Sequence, residues 1–284
     1  MEAITGELAR GREAFFALVG DLRPELHRYC ARLTGSVIEG EDLVQETLAK
    51  ALYALSLSAD VPPLRPWLFR IAHNTAIDYL RSHGRARTEL ADELEVVDEP
   101  ADPATVRAAL SRFLALPVAQ RSAVILKDVL GQSLEEIAET TGATIPAVKA
   151  SLVRGRARLR DAREETVAAD ASARAQLAAY AALFNARDWA GVRALIAEDC
   201  RLDLVAKSQR RGREVQAYFS RYEREDVQLR LARLEGQLAL AAFEGDAERP
   251  KYFILLEIAN ARVSVIRDFR YVGYIAGDAD YEVY

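Results

Sequence analysis

The chain has 284 residues, half of them hydrophobic and 29% charged, a globular composition that at roughly 150 residues per domain predicts about two domains. Its 38 basic and 43 acidic side chains leave a formal net charge of -5, which argues against a protein that coats nucleic acid through bulk positive charge. Two cysteines, Cys30 and Cys200, exclude a disulfide scaffold and show no zinc spacing, so no metal site is expected.

In chain order, the N-terminal MEAITGELARGREAFF is acidic and lacks a long apolar core, so no signal peptide is expected. Residues 1–87 balance 11 basic against 11 acidic groups. Val44, Leu48, Ala51 and Leu55 form one apolar stripe at helical spacing, and Leu64, Leu68, Ile71 and Thr75 begin another. Pro66 sits where a first helical turn tolerates proline. Residues 88–105 then carry seven acids (Glu89, Asp92, Glu93, Glu95, Asp98, Glu99 and Asp102) and no base. With Pro100 and Pro103 this stretch reads as an exposed linker.

Residues 106–163 reverse the balance, with ten basic against five acidic groups. Ser133 followed by Glu136 is a capping box that starts a short helix, whose buried face is expected to hold Leu134, Ile137, Ala138 and Thr141. Gly142 ends that helix, and Thr144 can cap a second one with Pro146 in its first turn. In the second helix Ile145, Val148, Leu152, Gly155 and Leu159 form an inward stripe. The other face presents Lys149, Ser151, Arg154, Arg156, Arg158 and Arg160. Two helices joined by a glycine turn, the second one basic, read as a helix-turn-helix that lays its second helix in the major groove of DNA. Lys149, Ser151 and Arg154 are then candidate base or phosphate readers, and Arg156, Arg158 and Arg160 phosphate clamps.

Residues 164–284 carry 17 basic against 20 acidic groups. Asp170 to Ala186 and Asp188 to Ala197 read as helices, and four strand-like runs follow: VQLRLAR, QLALAAF, YFILLEI and RVSVIRDF. The apolar stretch Tyr252 to Ile266 is broken by Glu257, Asn260 and Arg262 and cannot span a bilayer. The expected fold is therefore multidomain: two all-α domains, the second a helix-turn-helix, followed by an α+β domain. Its expected parts are 1–87, the linker 88–105, 106–163 and 164–284, in a soluble cytoplasmic protein.

Residues 110–160 resemble the promoter −35-binding domain of extracytoplasmic-function sigma factors, through LALPVAQRSAVILKDVLGQSLEEIAETTGATIPAVKASLVRGRARLR. EDLVQETLAKAL (41–52) resembles that family's helix that docks on the polymerase clamp, and RPWLFRIAHNTAIDYLRSHGRAR (65–87) its −10-element helix. The resemblance implies a promoter-specificity factor with core RNA polymerase and promoter DNA as partners, no cofactor, and no enzymatic activity of its own. It gives core-polymerase contacts to Asp42, Gln45 and Glu46, −10 contacts to Arg70, Asn74 and Arg81, and −35 contacts to Lys149, Ser151, Arg154, Arg156 and Arg158. Trp67 is a stacking wedge or a core residue; His73 and His83 face DNA or solvent. The acidic linker is an RNA mimic for the polymerase channel or a solubilising tether. An anti-sigma partner is not legible in one chain.

The C-terminal part resembles the SnoaL-like fold, a helix-lined curved sheet around a conical pocket, through AYAALFNARDWAGVRALIAEDCRLDLV and RVSVIRDFRYVGYI. The resemblance implies a regulatory module. Enzymes of this fold use Asp, His or Tyr for proton transfer, but all three histidines (His27, His73 and His83) precede this part. Asp203, Asp268, Tyr252 and Tyr271 remain as candidates, with Arg201, Arg213, Arg267 and Arg270 near enough in sequence to satisfy them. The alternative reading is a ligand-sensing or enzymatic SnoaL-like protein with a DNA-binding N-terminal half.

Overall fold

In the computed structural model, the described residues are 14–15, 17–58, 60–84, 110–161, 171–235 and 237–284. The acidic linker 88–105 lies outside them. The chain divides into two compact units, residues 1–165 and 166–284.

The first unit is helical. Helix α1 (Arg23–Thr34) has proline in its first turn and stops at Gly35, whose φ of 78° is the left-handed conformation that suits glycine. Helix α2 (Val37–Leu57) is capped by Ser36, whose side chain accepts from the backbone N–H of Ile38 and Glu39. Gly40 lets α2 approach α1 closely, since a Cβ there would lie 2.6 Å from Ala31 backbone. Val44, Leu48 and Ala51 of the expected stripe are buried, as are Leu68, Phe69, Ala72, Ala76 and Leu80 of α3 (Leu64–Ser82). Trp67 is half-buried against this core.

Beyond the linker come a single turn α4 (Leu110–Phe113), then α5 (Val118–Val124), which runs on into a π-turn over Ile125–Val129. The first helix of the helix-turn-helix, α6 (Leu134–Thr141), starts at the expected box: Glu136 N donates to Ser133 Oγ at 3.1 Å and Ser133 N donates to Glu136 Oε2 at 2.7 Å. It ends at Gly142, φ 70°, whose N–H returns to Ala138 O. Helix α7 (Ile145–Asp161) buries Val148, Leu152, Gly155 and Leu159, while Ile145 stays exposed at the helix start. Helices from both sides of the linker contribute to one core, in which Leu26, Leu33 and Phe69 join Phe113, Leu116 and Val124.

The second unit is α+β. Helix α8 (Ala171–Asn185) and the short α9 (Trp189–Ala194) precede β1 (Ile196–Leu204), β2 (Ser208–Arg211), α10 (Gln216–Tyr222), β3 (Val227–Leu234), β4 (Gln237–Glu244), β5 (Tyr252–Ala259) and β6 (Arg262–Asp268). A last turn, α11 (Ile275–Asp278), leads to β7 (Tyr281–Val283). The four expected strands are present as β3 to β6. The sheet has seven, in the order β2-β1-β6-β5-β4-β3-β7. The helix expected to reach Ala197 ends at Ala194, because Ile196 begins to pair with Val263 in a parallel ladder. The β5–β6 turn uses Asn260 and Ala261, both at positive φ, as a tight two-residue hairpin requires. One sheet face buries Leu202, Leu229, Leu240 and Ile254 against Tyr180, Phe184, Tyr218 and Phe219 of α8 and α10.

Candidate nucleic-acid and polymerase interface

On α2, Asp42 and Glu46 are exposed and Gln45 is half-buried. Glu46 pairs with Lys50 one turn on at 2.8 Å. Gln45 Nε2 lies 3.5 Å from Oε1 of Glu41. Glu41 is itself buried and receives Arg23. The exposed carboxylates thus ride on a helix anchored from beneath by the ion pair of the buried Glu41 with the half-buried Arg23.

Helix α3 carries Arg70, Asn74 and Arg81 on its solvent side, all exposed, with about one turn between the first two and about two turns between the last two, which aligns them in one stripe. Arg70 donates to Glu139 of α6 at 2.8 Å. Arg65, in the first turn of α3, donates to Glu25 at 3.1 Å and reaches Glu136 at 3.5 Å. The buried side of α3 holds His73, where DNA or solvent was expected. Its Nδ1 meets Tyr29 Oη at 2.7 Å, and burial lowers its pKa to about 4. Phe69, Ala72 and Ala76 share that face, so a ring at position 73 turns inward with them. His83 is exposed and stacks on Tyr79 with ring centroids 4.1 Å apart.

Helix α7 divides its basic residues between two environments. Lys149, Arg154 and Arg158 are half-buried and Arg160 is exposed. Arg158 also reaches Gln120 Oε1 at 3.2 Å. Ser151 and Arg156 lie inside the unit, at 7% and 5% exposure. The Arg156 guanidinium makes a two-pronged contact with Asp128 of the π-turn, at 2.9 and 2.6 Å. That engagement corrects the reading of Arg156 as a phosphate clamp. Gly155 completes the seat, because a Cβ there would sit 2.7 Å from Val124. Sequence reasoning missed Arg65 and Arg121, which have no motif of their own. Arg121 is buried and donates to the carbonyls of Leu114 and Leu116 at 3.2 and 2.9 Å, and to that of Leu33 in α1.

In the second unit, the candidate acid–base residues are all engaged. Asp268 is fully buried and accepts from Tyr218 at 2.7 Å, Tyr222 at 2.9 Å and the backbone N–H of Arg270 at 2.9 Å. Burial raises its pKa above the ordinary carboxylate value, although Tyr218 and Arg270 pull the other way. Tyr252 contacts Tyr222 at 3.1 Å and accepts from Arg270 at 3.3 Å. Tyr271 accepts from Arg221 and Lys207, and Asp203 lies 3.6 Å from Arg267. Among the described residues, no group of His, Cys, Asp and Glu is placed to hold a metal ion, and no helix is long and apolar enough to cross a membrane.

Two families of the sigma-70 class fall on the helical segments that carry these residues. The Sigma-70 region 2 family matches residues 18–86, and the Sigma-70, region 4 family matches residues 107–159. The ECF RNA polymerase sigma factor SigL of Mycobacterium tuberculosis is 33% identical over 159 residues, spanning 54% of this chain and 90% of that protein. The chain belongs to the extracytoplasmic-function sigma factor family. SigG of the same organism is 34% identical over 212 residues, covering 62% of this chain. The chain spans 57% of the length of SigG. Among solved structures, M. tuberculosis SigJ aligns with 90% of this chain and 98% of its own at 22% identity, with a TM-score of 0.37.

Proposed function

We propose that the protein is a sigma factor that directs core RNA polymerase to specific promoters. The observation that carries this is the pair of basic helices in one unit. The α3 stripe of Arg70, Asn74 and Arg81 suits a single strand, whose bases and phosphates guanidinium and amide groups can grip. The α7 side with Lys149, Arg154, Arg158 and Arg160 suits duplex phosphates and base edges at the −35 element. Asp42, Gln45 and Glu46 supply a polar patch for the polymerase clamp. In this reading the polymerase performs the chemistry in the cytoplasm, and this chain supplies recognition. Residues 166–284 form a SnoaL-like module that tunes that activity, and the full engagement of Asp268, Tyr252 and Tyr271 within the fold favours tuning over catalysis there.

The test is run-off transcription from a library of candidate promoter fragments with core polymerase and the purified chain. Transcripts that core polymerase alone does not start are expected. Deleting residues 166–284, a unit with its own core, should change their yield without changing their start sites. No stimulation from any fragment, with or without that unit, would remove the proposal.

A further inference from the structure

Arg70 stands at the head of the α3 stripe, yet its guanidinium is already occupied by Glu139 of α6. The neighbouring Arg65, which lies 5.3 Å over the Phe69 ring, is held between Glu25 and Glu136. Both Glu136 and Glu139 come from the first helix of the helix-turn-helix, one turn apart on the side turned to α3. The contact is not a chance touch of side-chain ends. Leu134 and Ala138 of the same helix pack on the shared core, and Leu114 sits against Gly35, where a Cβ would come within 2.7 Å. Arg121 ties α5 to the Leu33 carbonyl at the end of α1.

A carboxylate and a phosphate both offer a guanidinium paired acceptor oxygens. We propose that α6 is an internal occupant of the α3 strand-binding face. Glu139 takes the place of a backbone phosphate on Arg70, so the free chain competes with DNA for its own −10 face. The proposal rests on reading Arg70 as a nucleic-acid residue. Asn74 and Arg81 lie beyond the contact and stay exposed, so a strand can land on them first and displace Glu139 afterwards. The pair is solvent-exposed on both sides, Arg70 at 50% and Glu139 at 53%. Salt therefore screens it, and its loss changes affinity by about two- to fivefold rather than by orders of magnitude.

The experiment measures binding of a fluorescein-labelled single-stranded DNA of mixed sequence, about twelve nucleotides long, to the full chain at low salt. Glu139→Gln frees Arg70, whereas Glu135→Gln removes the same charge from an exposed position of the same helix. Expected are about two- to fivefold tighter binding for Glu139→Gln and less than about 1.5-fold for Glu135→Gln. The gain should vanish in Arg70→Ala/Glu139→Gln. Equal gains for the two glutamine variants, or none, would overturn the internal competition while leaving Arg70 as a DNA contact, provided that Arg70→Ala alone weakens binding. If Arg70→Ala binds as the unaltered chain does, or if nothing binds the strand, the reading of Arg70 falls and the competition falls with it.

Discussion

Asp128 of the first unit and Asp268 of the second are both shielded from water, yet their partners differ in kind. Asp128 faces a guanidinium, Arg156, in a two-pronged pair across 28 residues of chain. Asp268 faces two phenols and a backbone N–H, and the nearest guanidinium nitrogen, on Arg270, stands 4.0 Å away. The pair in the first unit fixes geometry: the fork permits few orientations, so it sets how α7 rolls against the π-turn and which of its basic residues face outward. The cluster in the second unit leaves the carboxyl with mostly neutral donors, and burial there raises its pKa. The first unit thus settles its buried charge by a close ion pair, and the second mainly by hydrogen bonds from neutral groups, with Arg270 at a longer 4.0 Å.

The largest expected effect breaks the first arrangement. Asp128→Ala leaves Arg156 buried without its carboxylate and should cost about 3–5 kcal/mol, the range for removing one partner of a buried pair. Adding Arg156→Met should restore most of that loss. Chemical denaturation can follow Trp67 in the first unit once Trp189→Phe has silenced the second. A loss below about 1 kcal/mol would mean that water replaces Asp128 and that the pair does not set the roll of α7.

His73 sharpens the contrast within the first unit. Its folded value of about 4 lies below the usual 6.5, so the fold favours the neutral ring. That contribution is complete above pH 6.5 and is lost as pH falls through 4, amounting to about 3 kcal/mol. The stability of the unaltered chain should therefore fall relative to His73→Gln between those limits. Parallel pH profiles would show that the ring is protonated in place.

The smallest effect concerns Asp268, with the opposite sign. Its raised folded value means that the protonated form suits the fold. The contribution is full below the unfolded carboxyl value of about 3.9 and is lost as pH rises through the folded value. Relative to Asp268→Asn, the second unit should lose stability as pH climbs above about 4, while Asp268→Ala should cost about 1–3 kcal/mol by removing the buried acceptor that the Tyr218 and Tyr222 hydroxyls share. Denaturation followed at Trp189 in a Trp67→Phe background reads both, and a flat difference between the chain and Asp268→Asn would dissolve the contrast with Asp128.

Local chemistry made much of this molecule legible. The Ser133–Glu136 box, the stop at Gly142 and the stripes through Val44 and Leu68 each depend on neighbours within one or two helical turns, so residue order alone determines them. The four central strands were likewise legible from their period and turns, whereas β1, β2 and β7 were not. β1 is held by a parallel ladder to β6, some sixty residues away, and the other two are short edge strands of three or four residues.

Helical period says which residues share a face; it does not say which neighbour that face meets. Arg156 reads as one more cation on a basic helix until the π-turn brings Asp128 beneath it. His73 reads as a polar residue on an arginine-bearing helix until Tyr29 comes within 2.7 Å. Arg70 has the same spacing whether it holds a phosphate or Glu139. Residue order determined the helices, their caps and the family to which they belong. The tertiary structure decided which charges stay available, because a buried or paired guanidinium differs from a free one only in what lies across from it in space.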